Sequence, residues 1–520
     1  MNILFFPPYT FWRLHALYEV ALLHNLRSRG HQVDMICCDG IFNECDMFWQ
    51  STVGERPANA CEICQKSTEE LVRAVNIDAM KIGDFINSHN DEIRSLVNNI
   101  PAGDLMNFIY DDYPVGDWVI SSLHTHFRVN RINLLNKKQV EVFREYIYGG
   151  IILAEAAEKI LNKLKPDVIV IFNGRLAPTR IFLEIARAKS IRIVCHERGI
   201  CNESLLIYEN SSCLSLIPFK EISEKWQEIP LNKIEVNAVF DWLEDRRSGK
   251  NLSWTAFSDN GEIDTVDTFI NSNVFDRIWV LFTSSTDEIV SSPEFISDFG
   301  TQYDWIMKTI DYVKVNKNIG LIIRCHPNSG SSKSTGVNYE ELNFYNTLSL
   351  DAESNVCFIL PEDKTSSYKL MDIADLGLVY VSTVALEMAC FGKNVILACR
   401  SPWSYCAGIE FIQDSSTYTD VLTKYKTSET VVSKSKISYA VRFAYGYIAR
   451  WQLQFPLISM PDIHNGILNA SDISQLGVGQ DHSLDKFGRI VLGVEPAIPN
   501  VPRNIEMDVD DFDFISTRIS

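Results

Sequence analysis

The chain has 520 residues, of which 46% are hydrophobic and 22% are charged, a balance that is typical of folded proteins and excludes disorder throughout. This length corresponds to roughly two to four domains of ordinary size. The formal net charge of −19 argues against a nucleic acid partner, because phosphate backbones are bound by clustered Lys and Arg.

The first residues, MNILFFPPYTFW, carry no basic segment, and Pro7 and Pro8 end their apolar run. We therefore expect no signal peptide. No stretch approaches the ~18 uninterrupted apolar residues of a transmembrane helix. These features predict a cytoplasmic protein with mostly reduced thiols, and they leave peripheral association with the inner face of a membrane open.

Strand and helix patterns alternate in the first half of the chain, which is typical of a parallel α/β sheet. Strand patterns cover residues 2–6, 32–38, 167–172 and 191–195, and helical patterns cover residues 12–29, 67–99, 137–165 and 178–189. The opening strand–helix–strand unit favours parallel pairing. We predict an N-terminal Rossmann-like domain over residues 1–245, with helical and cysteine-rich insertions.

A second alternation follows a polar stretch at residues 245–275 and predicts a second Rossmann-like domain over residues 276–435. Strand patterns cover residues 278–283, 319–324, 356–360, 377–381 and 394–399, and helical patterns cover residues 302–316, 366–374 and 383–391. An amphipathic pattern predicts one more helix over residues 436–459. Residues 460–520 are rich in Gly, Pro, Asn and Asp, which predicts an extended acidic tail.

The segment from Arg324 to Pro327 follows a predicted buried strand, at the end where ligands bind in parallel α/β sheets. Its arginine, its histidine (His326) and its turn-fixing proline can hold an anionic group. The same residues also fit an ordinary strand-ending turn with an incidental histidine, and the motif alone does not separate these interpretations.

Ser382 and Thr383 follow another predicted strand and open a predicted helix. Hydroxyl groups and unpaired backbone N–H groups at a helix N-terminus bind phosphate well. Glu387 lies one helical turn further, where it could reach a sugar hydroxyl or pair with a base. A simple capping motif is the alternative interpretation.

Together these motifs resemble those of the capsule polysaccharide biosynthesis proteins, a family that includes Kdo transferases with a GT-B fold. The matching segments are FTSSTDE at residues 282–288, RCHP at residues 324–327 and SSYKLMDIADLGLVYVSTVALEMACFGKNVIL at residues 366–397. The first half of the chain matches in general layout only. The resemblance implies an α/β, GT-B-like fold, with two facing Rossmann-like domains and a C-terminal helix that crosses back to the first.

In such enzymes the His-Pro and Ser-Thr elements bind the phosphate of a nucleotide sugar, often a CMP-sugar. The complete donor-binding set that we predict is Arg324, His326, Ser382, Thr383, Glu387, Ser284 and Ser285. Asp508 and Asp510 have the spacing of a metal-binding DxD motif, but they lie in the acidic tail and we interpret the spacing as accidental. We favour metal-independent catalysis, in which helix N-termini and His326 neutralise the charge of the leaving group.

Two loops of the first domain, after the strands at residues 167–172 and 191–195, carry polar side chains. Glu197 is the first candidate for the catalytic carboxylate. His196 is the second, since an imidazole can accept a proton near neutral pH. The predicted contacts to the acceptor or to an acidic sugar, with interior salt bridges as the alternative, are Asn173, Arg175 and Arg198.

Five of the thirteen cysteines fall within residues 37–64. Four thiolates could close a structural zinc site or hold an iron–sulfur cluster, and the predicted ligand set is Cys38, Cys45, Cys61 and Cys64. Unpaired core thiols are one alternative, since Cys37 and Cys38 end a buried strand. A redox-active Cys61-x-x-Cys64 motif is another, but such a motif normally opens a helix beside a strand, and the flanks do not show this clearly.

By resemblance, we expect a cytoplasmic glycosyltransferase that builds a surface polysaccharide and needs no cofactor for catalysis. A CMP-sugar such as CMP-Kdo is the favoured donor, a UDP- or GDP-sugar is the second, and a glycan or lipid-linked glycan is the acceptor. The alternatives are an enzyme of the UDP-GlcNAc 2-epimerase type and a non-catalytic partner in polysaccharide assembly.

Overall fold

The computed structural model describes residues 1–46, 59–87, 90–250, 264–330, 337–427, 431–461, 465–502 and 509–519. Contacts divide the chain into two compact units. Unit 1 comprises Met1–Ser215, Asp287–Ser291 and Gln452–Pro499, and unit 2 comprises Leu216–Thr286, Ser292–Trp451 and Asn500–Ser520.

The strands are β1 (Asn2–Phe6), β2 (Gln32–Cys37), β3 (Met80–Lys81), β4 (Val168–Phe172), β5 (Arg192–Arg198), β6 (Ser204–Glu209), β7 (Arg277–Phe282), β8 (Ile319–Arg324), β9 (Val356–Ile359), β10 (Leu376–Val379), β11 (Asn394–Leu397), β12 (Glu410–Phe411), β13 (Leu453–Gln454), β14 (Ile458–Ser459) and β15 (Ile467–Leu468). The α-helices are α1 (Arg13–Ser28), α2 (Ala60–Ala74), α3 (Asn90–Asn98), α4 (Val115–Phe127), α5 (Lys137–Leu164), α6 (Ala177–Ala188), α7 (Ile217–Trp226), α8 (Lys233–Arg247), α9 (Asp264–Asn271), α10 (Gln302–Val315), α11 (Tyr339–Leu350), α12 (Ser367–Ile373), α13 (Val384–Cys390), α14 (Tyr418–Thr427), α15 (Lys434–Tyr445), α16 (His482–Val491) and α17 (Phe512–Ile519).

The large sheet of unit 1 has the strand order β13-β6-β5-β4-β1-β2-β3. The strands from β5 to β3 are parallel, and β6 and β13 add an antiparallel edge. All five residues of β4 are buried, because helices cover both faces of a parallel sheet, and the strand is accordingly a continuous apolar run. The strand order reverses between β1 and β4, which is where such sheets bind ligands.

The sheet of unit 2 is parallel throughout and has the strand order β12-β11-β10-β7-β8-β9. Its order reverses between β7 and β10, so the loops after these two strands flank the point at which a ligand is expected. The core on one side of this sheet contains the fully buried Trp279 and Trp305, and the indole Nε1 of Trp305 donates to the hydroxyl of Tyr418 at 3.1 Å.

These sheets confirm the predicted α/β class with two Rossmann-like units. The central strands begin and end within a few residues of the predicted bounds, because each is a buried apolar run between polar turns. The long helix predicted over residues 67–99 is wrong in detail. Asn76 adopts a left-handed φ of 48° just after α2, and the short strand β3 separates α2 from α3.

The division of the chain differs from the predicted bounds, which assigned residues 1–245 to one domain. α7 and α8 belong to unit 2, because their apolar faces are buried there. In particular, the ring of Phe219 lies 5.9 Å from that of Trp403 and 5.1 Å from that of Trp451. Part of the polar connection, residues 251–263, lies outside the described residues.

The C-terminal region also differs from the prediction. α15 continues as a π-helix over Gly446–Trp451, and the chain then leaves unit 2 to form β13 in the sheet of unit 1. Residues 460–520 are not simply extended, since they include α16 and α17. α17 is anchored through Asp511, whose buried carboxylate accepts from Arg442 Nε at 2.7 Å.

Among the described residues, none of the helices combines the length and the apolar character needed to cross a membrane.

Candidate active site

The reversal point of the unit 2 sheet lies beside Ser284, which follows β7. Its hydroxyl oxygen accepts from Val381 N at 3.3 Å, and its backbone N–H donates to Gln302 Oε1 at 2.7 Å. The residue is only 3% exposed. Ser284 therefore ties the ends of β7 and β10 together and shapes the predicted donor site, while the neighbouring Ser285 is more exposed.

His326 lies at the carboxyl end of β8, next to the loop that follows β7. Its backbone N–H donates to Thr283 Oγ1 at 2.8 Å. Its Nδ1 accepts from Asn328 N at 3.1 Å, so the proton of the neutral imidazole lies on Nε2. Nε2 is therefore a hydrogen-bond donor of fixed orientation on a half-buried side chain.

Arg324 lies at the same edge of the sheet, but its guanidinium donates hydrogen bonds to backbone carbonyl groups. Nη1 donates to the carbonyl of Leu360 at 2.9 Å and Nη2 donates to that of Asp363 at 3.2 Å. Burial lowers the pKa of this side chain, which is 4% exposed. These contacts favour a structural role, fixing the loop after β9, over direct binding of an anion.

Thr383 and Glu387 are joined by an arginine that the sequence analysis missed. Arg246 of α8 donates from Nε to Glu387 Oε1 at 2.9 Å and from Nη2 to Thr383 Oγ1 at 3.1 Å. Burial alone would lower the pKa of Arg246, but the carboxylate of Glu387 outweighs it and the pKa is raised. Glu387 is 1% exposed, so the structure supports the alternative of pairing with a base over contact with a sugar.

Ser382 is half-buried and lies one residue before the N-cap of α13, where its hydroxyl oxygen accepts from Val384 N at 3.4 Å. The helix that it precedes, α13, has only seven residues. Of the predicted donor-binding residues, those that combine partial exposure with a position beside the reversal of the sheet are His326, Ser382, Thr383 and Ser285.

In unit 1 the reversal point lies beside Asn173, which follows β4. This residue has a left-handed φ of 66°, and its side-chain oxygen accepts from Arg175 N at 2.9 Å. Its backbone N–H donates to the carbonyl of His196 at 2.9 Å, which joins the ends of β4 and β5. The turn aims the side-chain amide of Asn173 at the end of β5.

The carboxylate of Glu197 accepts a hydrogen bond from that amide. Its Oε2 accepts from Asn173 Nδ2 at 2.7 Å and its Oε1 accepts from Arg198 N at 3.0 Å, while His15 Nε2 lies 3.7 Å from Oε1. The side chain of Glu197 is 20% exposed. It is thus an oriented carboxylate that solvent can reach, which is the arrangement that a general base requires.

His196, the second catalytic candidate, has another environment. It is completely buried, and its Nε2 lies 3.0 Å from Oε1 of Glu19, which is 2% exposed. Burial raises the pKa of Glu19, and the hydrogen bond with His196 opposes that shift. An imidazole enclosed in this way does not reach an acceptor, so the structure argues against His196 as the catalytic base.

Arg175 is also interior, and hydroxyl groups are among its hydrogen-bond partners. Its Nη1 donates to Ser121 Oγ at 3.1 Å and to Thr125 Oγ1 at 2.9 Å. Burial alone would lower its pKa, but nearby carboxylates, Glu288 first among them, raise it. The two hydroxyls lie on helix α4, which the sequence patterns did not predict.

Arg198, another predicted acceptor contact, also lies beside Glu197, with 4.0 Å between its Nε and Glu197 Oε1. Burial lowers the pKa of Arg198, and the carboxylates of Glu197 and Glu288 oppose this. The side chain is 14% exposed. Asp287, in the same short segment as Glu288, forms a buried ion pair with Arg128 of unit 1.

The predicted metal ligands are not gathered into a metal site. Across the described ranges, which include all four cysteines of the set, no group of three or more His, Cys, Asp or Glu side chains is arranged to hold a metal ion. Burial raises the pKa of Cys38 to about 12, which opposes the thiolate form that metals require. Asp508 of the DxD spacing lies outside the described residues.

No family model matches the chain, and no curated protein sequence matches it. Among solved structures, the chain is similar to two KpsC transferases of Thermosulfurimonas dismutans. The KpsC β-Kdo 2,7 transferase is 14% identical, with a TM-score of 0.33 over 60% of this chain and 85% of that chain. The KpsC β-Kdo 2,4 transferase is 10% identical, with a TM-score of 0.32 over 53% and 79%.

The chain is also similar to the UDP-GlcNAc 2-epimerase of Neisseria meningitidis, which is 12% identical, with a TM-score of 0.23 over 85% of this chain and 97% of that chain. At such low identities and TM-scores, none of these likenesses carries an inference about donor, acceptor or reaction.

Proposed function

We propose that the chain is a glycosyltransferase that moves a sugar from a nucleotide-sugar donor to a hydroxyl group of a glycan or lipid-linked glycan. The favoured donor is a CMP-sugar such as CMP-Kdo, with a UDP- or GDP-sugar second. The observation that carries the proposal is the carboxylate of Glu197, which solvent can reach and which is oriented by Asn173, the residue beside the reversal point of the unit 1 sheet. The motif resemblance around His326 supports the choice of donor.

The roles of the residues follow from their hydrogen-bonding capacity. Glu197 accepts the proton of the acceptor hydroxyl as its oxygen bonds to the anomeric carbon of the sugar. The bond from that carbon to the phosphate oxygen of the donor breaks. His326 Nε2–H donates to a phosphate oxygen of the leaving nucleotide and stabilises its charge. No step in this scheme requires a metal ion.

Asn173 and Arg198 are assigned to the orientation of the base. The Asn173 amide and the Arg198 backbone N–H each donate to Glu197, so the lone pairs that remain on the carboxylate have fixed directions. A base held within hydrogen-bond reach of the proton it abstracts typically contributes about 10²–10⁴-fold to the rate. The guanidinium of Arg198 is proposed to contact an acidic group of the acceptor.

Donor binding is tested by thermal unfolding of the full chain with CMP, UDP, GDP and their sugars. A nucleotide that binds the folded state raises the melting temperature in proportion to its occupancy. We expect the shift in the wild type and in His482→Ala, a control at an exposed histidine of α16, and its loss in His326→Ala. Equal shifts in all three proteins would overturn the donor-site assignment.

Product analysis then separates the remaining functions. A transferase consumes the donor and forms a glycoside only when an acceptor is present. An enzyme of the 2-epimerase type converts the donor alone to its epimer, and a non-catalytic assembly partner does neither. Formation of an epimer without acceptor would replace the proposed function with epimerisation.

A further inference from the structure

We propose that Cys61 and Cys64 form a redox-active dithiol that exchanges with small disulfides, an activity distinct from glycosyl transfer. Both residues lie near the start of α2, which begins at Ala60. The C-x-x-C segment therefore opens a helix, which is the usual setting of a redox dithiol and which the sequence pattern did not reveal.

The start of α2 packs against the segment that follows strand β2. Gln65 Nε2 donates to the carbonyl of Asp39 at 3.0 Å. A Cβ atom placed on Gly40, in the same segment, would lie 3.6 Å from Cys61 Sγ. The dithiol is thus set beside the carboxyl end of a strand in the unit 1 sheet.

The spacing suits a disulfide. In an α-helix, Cα atoms three residues apart are about 5 Å from each other, a separation that falls within the range that disulfides bridge. The first turn of a helix also presents backbone N–H groups that lack intrahelical acceptors and favour a negative charge nearby. Cys61 is the second residue of α2 and lies in that first turn.

A buried hydroxyl contacts one of the two sulfurs. Thr10 Oγ1 lies 3.3 Å from Cys64 Sγ, and Thr10 is 1% exposed. Cys64 also packs against the apolar cluster that contains Tyr9 and Trp12. These contacts hold Cys64 in place, and in the proposed exchange Cys61 is the thiol that attacks first.

Most other thiols of the chain are less suited to this chemistry. Burial raises the pKa of the Cys37 and Cys195 thiols well above the usual value. Cys357 is partly exposed, but burial raises its pKa to about 11 and its sequence neighbours include no second cysteine. Cys61 and Cys64 are both partly exposed, and they are the C-x-x-C pair.

The exchange balances in two steps. The Cys61 thiolate attacks one sulfur of the small disulfide, which forms a mixed disulfide and releases one small thiolate that takes up a proton. The Cys64 thiolate then attacks Cys61 Sγ, which closes the intramolecular disulfide and releases the second small thiol. Two electrons pass from the protein to the small disulfide.

The test incubates the reduced full chain with glutathione disulfide and maps the products by mass spectrometry. We expect a peptide that contains a Cys61–Cys64 disulfide and has lost two hydrogen atoms. Cys64→Ser should instead accumulate glutathione on Cys61, because the second step is blocked, and Cys61→Ser should form no intramolecular disulfide. Cys357→Ser, a change at another partly exposed thiol, should behave as the wild type.

The proposal is wrong if the wild type forms no Cys61–Cys64 disulfide, or if Cys357 takes up glutathione as fast as Cys61. It is equally wrong if the purified protein holds stoichiometric zinc or iron that must be removed before either thiol reacts. Alkylation rates of the reduced wild type give a readout that does not depend on a folded variant. The rates at Cys61 and Cys64 should exceed that at Cys357.

Discussion

His196 Nε2 lies 3.0 Å from Glu19 Oε1 inside unit 1, and neither side chain is exposed to solvent by more than 2%. Glu19 comes from α1 and His196 from β5, so the contact joins the first helix of the chain to the strand that also carries Glu197. Burial raises the pKa of Glu19, and the free energy of unfolding should therefore depend on pH through this residue.

The pH dependence follows from the direction of that shift. Folded protein keeps the Glu19 proton to a higher pH than unfolded protein, whose glutamates have a pKa of about 4.3. The stability contributed by protonated Glu19 is complete below that pH and is lost as the pH rises through the raised pKa. We expect the free energy of unfolding of Glu19→Gln, relative to the wild type, to increase from pH 4 to pH 7, as measured by urea denaturation.

A control for that measurement is Glu70→Gln, since Glu70 on α2 is 49% exposed and pairs with Arg13 near the surface. Its difference from the wild type should change little over the same pH range. A difference for Glu19→Gln that is equally flat would contradict the assignment of a raised pKa to Glu19.

Substitution of the proposed base tests the chemistry directly. Glu197→Gln preserves an oxygen that accepts from Arg198 N but cannot take up a proton from the acceptor. We expect the rate of transfer to fall by about 10²–10⁴-fold, with nucleotide binding unchanged in the thermal-unfolding assay. Glu70→Gln again serves as the control, and a rate for Glu197→Gln near that of the wild type would rule out the base.

The Arg246–Glu387 pair is predicted to stabilise unit 2. Arg246→Ala leaves the carboxylate of Glu387 buried without its cation, a change that typically costs about 3–5 kcal/mol. The neighbouring Arg247 pairs with Asp372, whose side chain is 55% exposed, so Arg247→Ala should cost less than about 1 kcal/mol. Chemical denaturation of the full chain measures the free energy of unfolding of both variants. Equal losses would show that the buried pair stabilises the fold no more than the exposed pair.

The turn that carries Asn173 depends on Gly174. This glycine has a φ of 70°, and a Cβ atom there would lie 2.9 Å from both Cys195 Sγ and Leu183 Cδ1. Gly30 also has a positive φ, of 83°, but a Cβ there would meet nothing within 4 Å. We expect Gly30→Ala to cost about 1–2 kcal/mol, the conformational penalty alone.

Gly174→Ala should cost more than Gly30→Ala in the same denaturation measurement, because the crowding adds to the conformational penalty. It should also slow transfer, since Asn173 would shift away from Glu197. If the two alanine variants are equally stable and transfer sugar equally fast, the geometry of this turn is not what orients the base.

The sequence alone determined much of the fold. The central strands, such as residues 2–6 and 319–324, are short apolar runs bounded by polar turns, and burial on both faces of a parallel sheet requires that composition. α5, predicted over residues 137–165, spans Lys137–Leu164, because its period is regular and Pro166 follows it. The positions of Asn173, Glu197 and His326 at carboxyl ends of strands followed from the same patterns.

Only the tertiary structure decided which polar side chains pair with each other in the interior. Arg246 and Glu387 are 141 residues apart, and Glu19 and His196 are 177 apart, so no local pattern links them. Periodicity indicates whether a residue lies on a buried face. It does not identify the partner whose opposite charge or hydrogen bond offsets the desolvation cost of a buried charge. For this reason His196 and Glu387 resembled site residues in the sequence, while the folded chain uses them as interior partners and leaves Glu197 within reach of solvent.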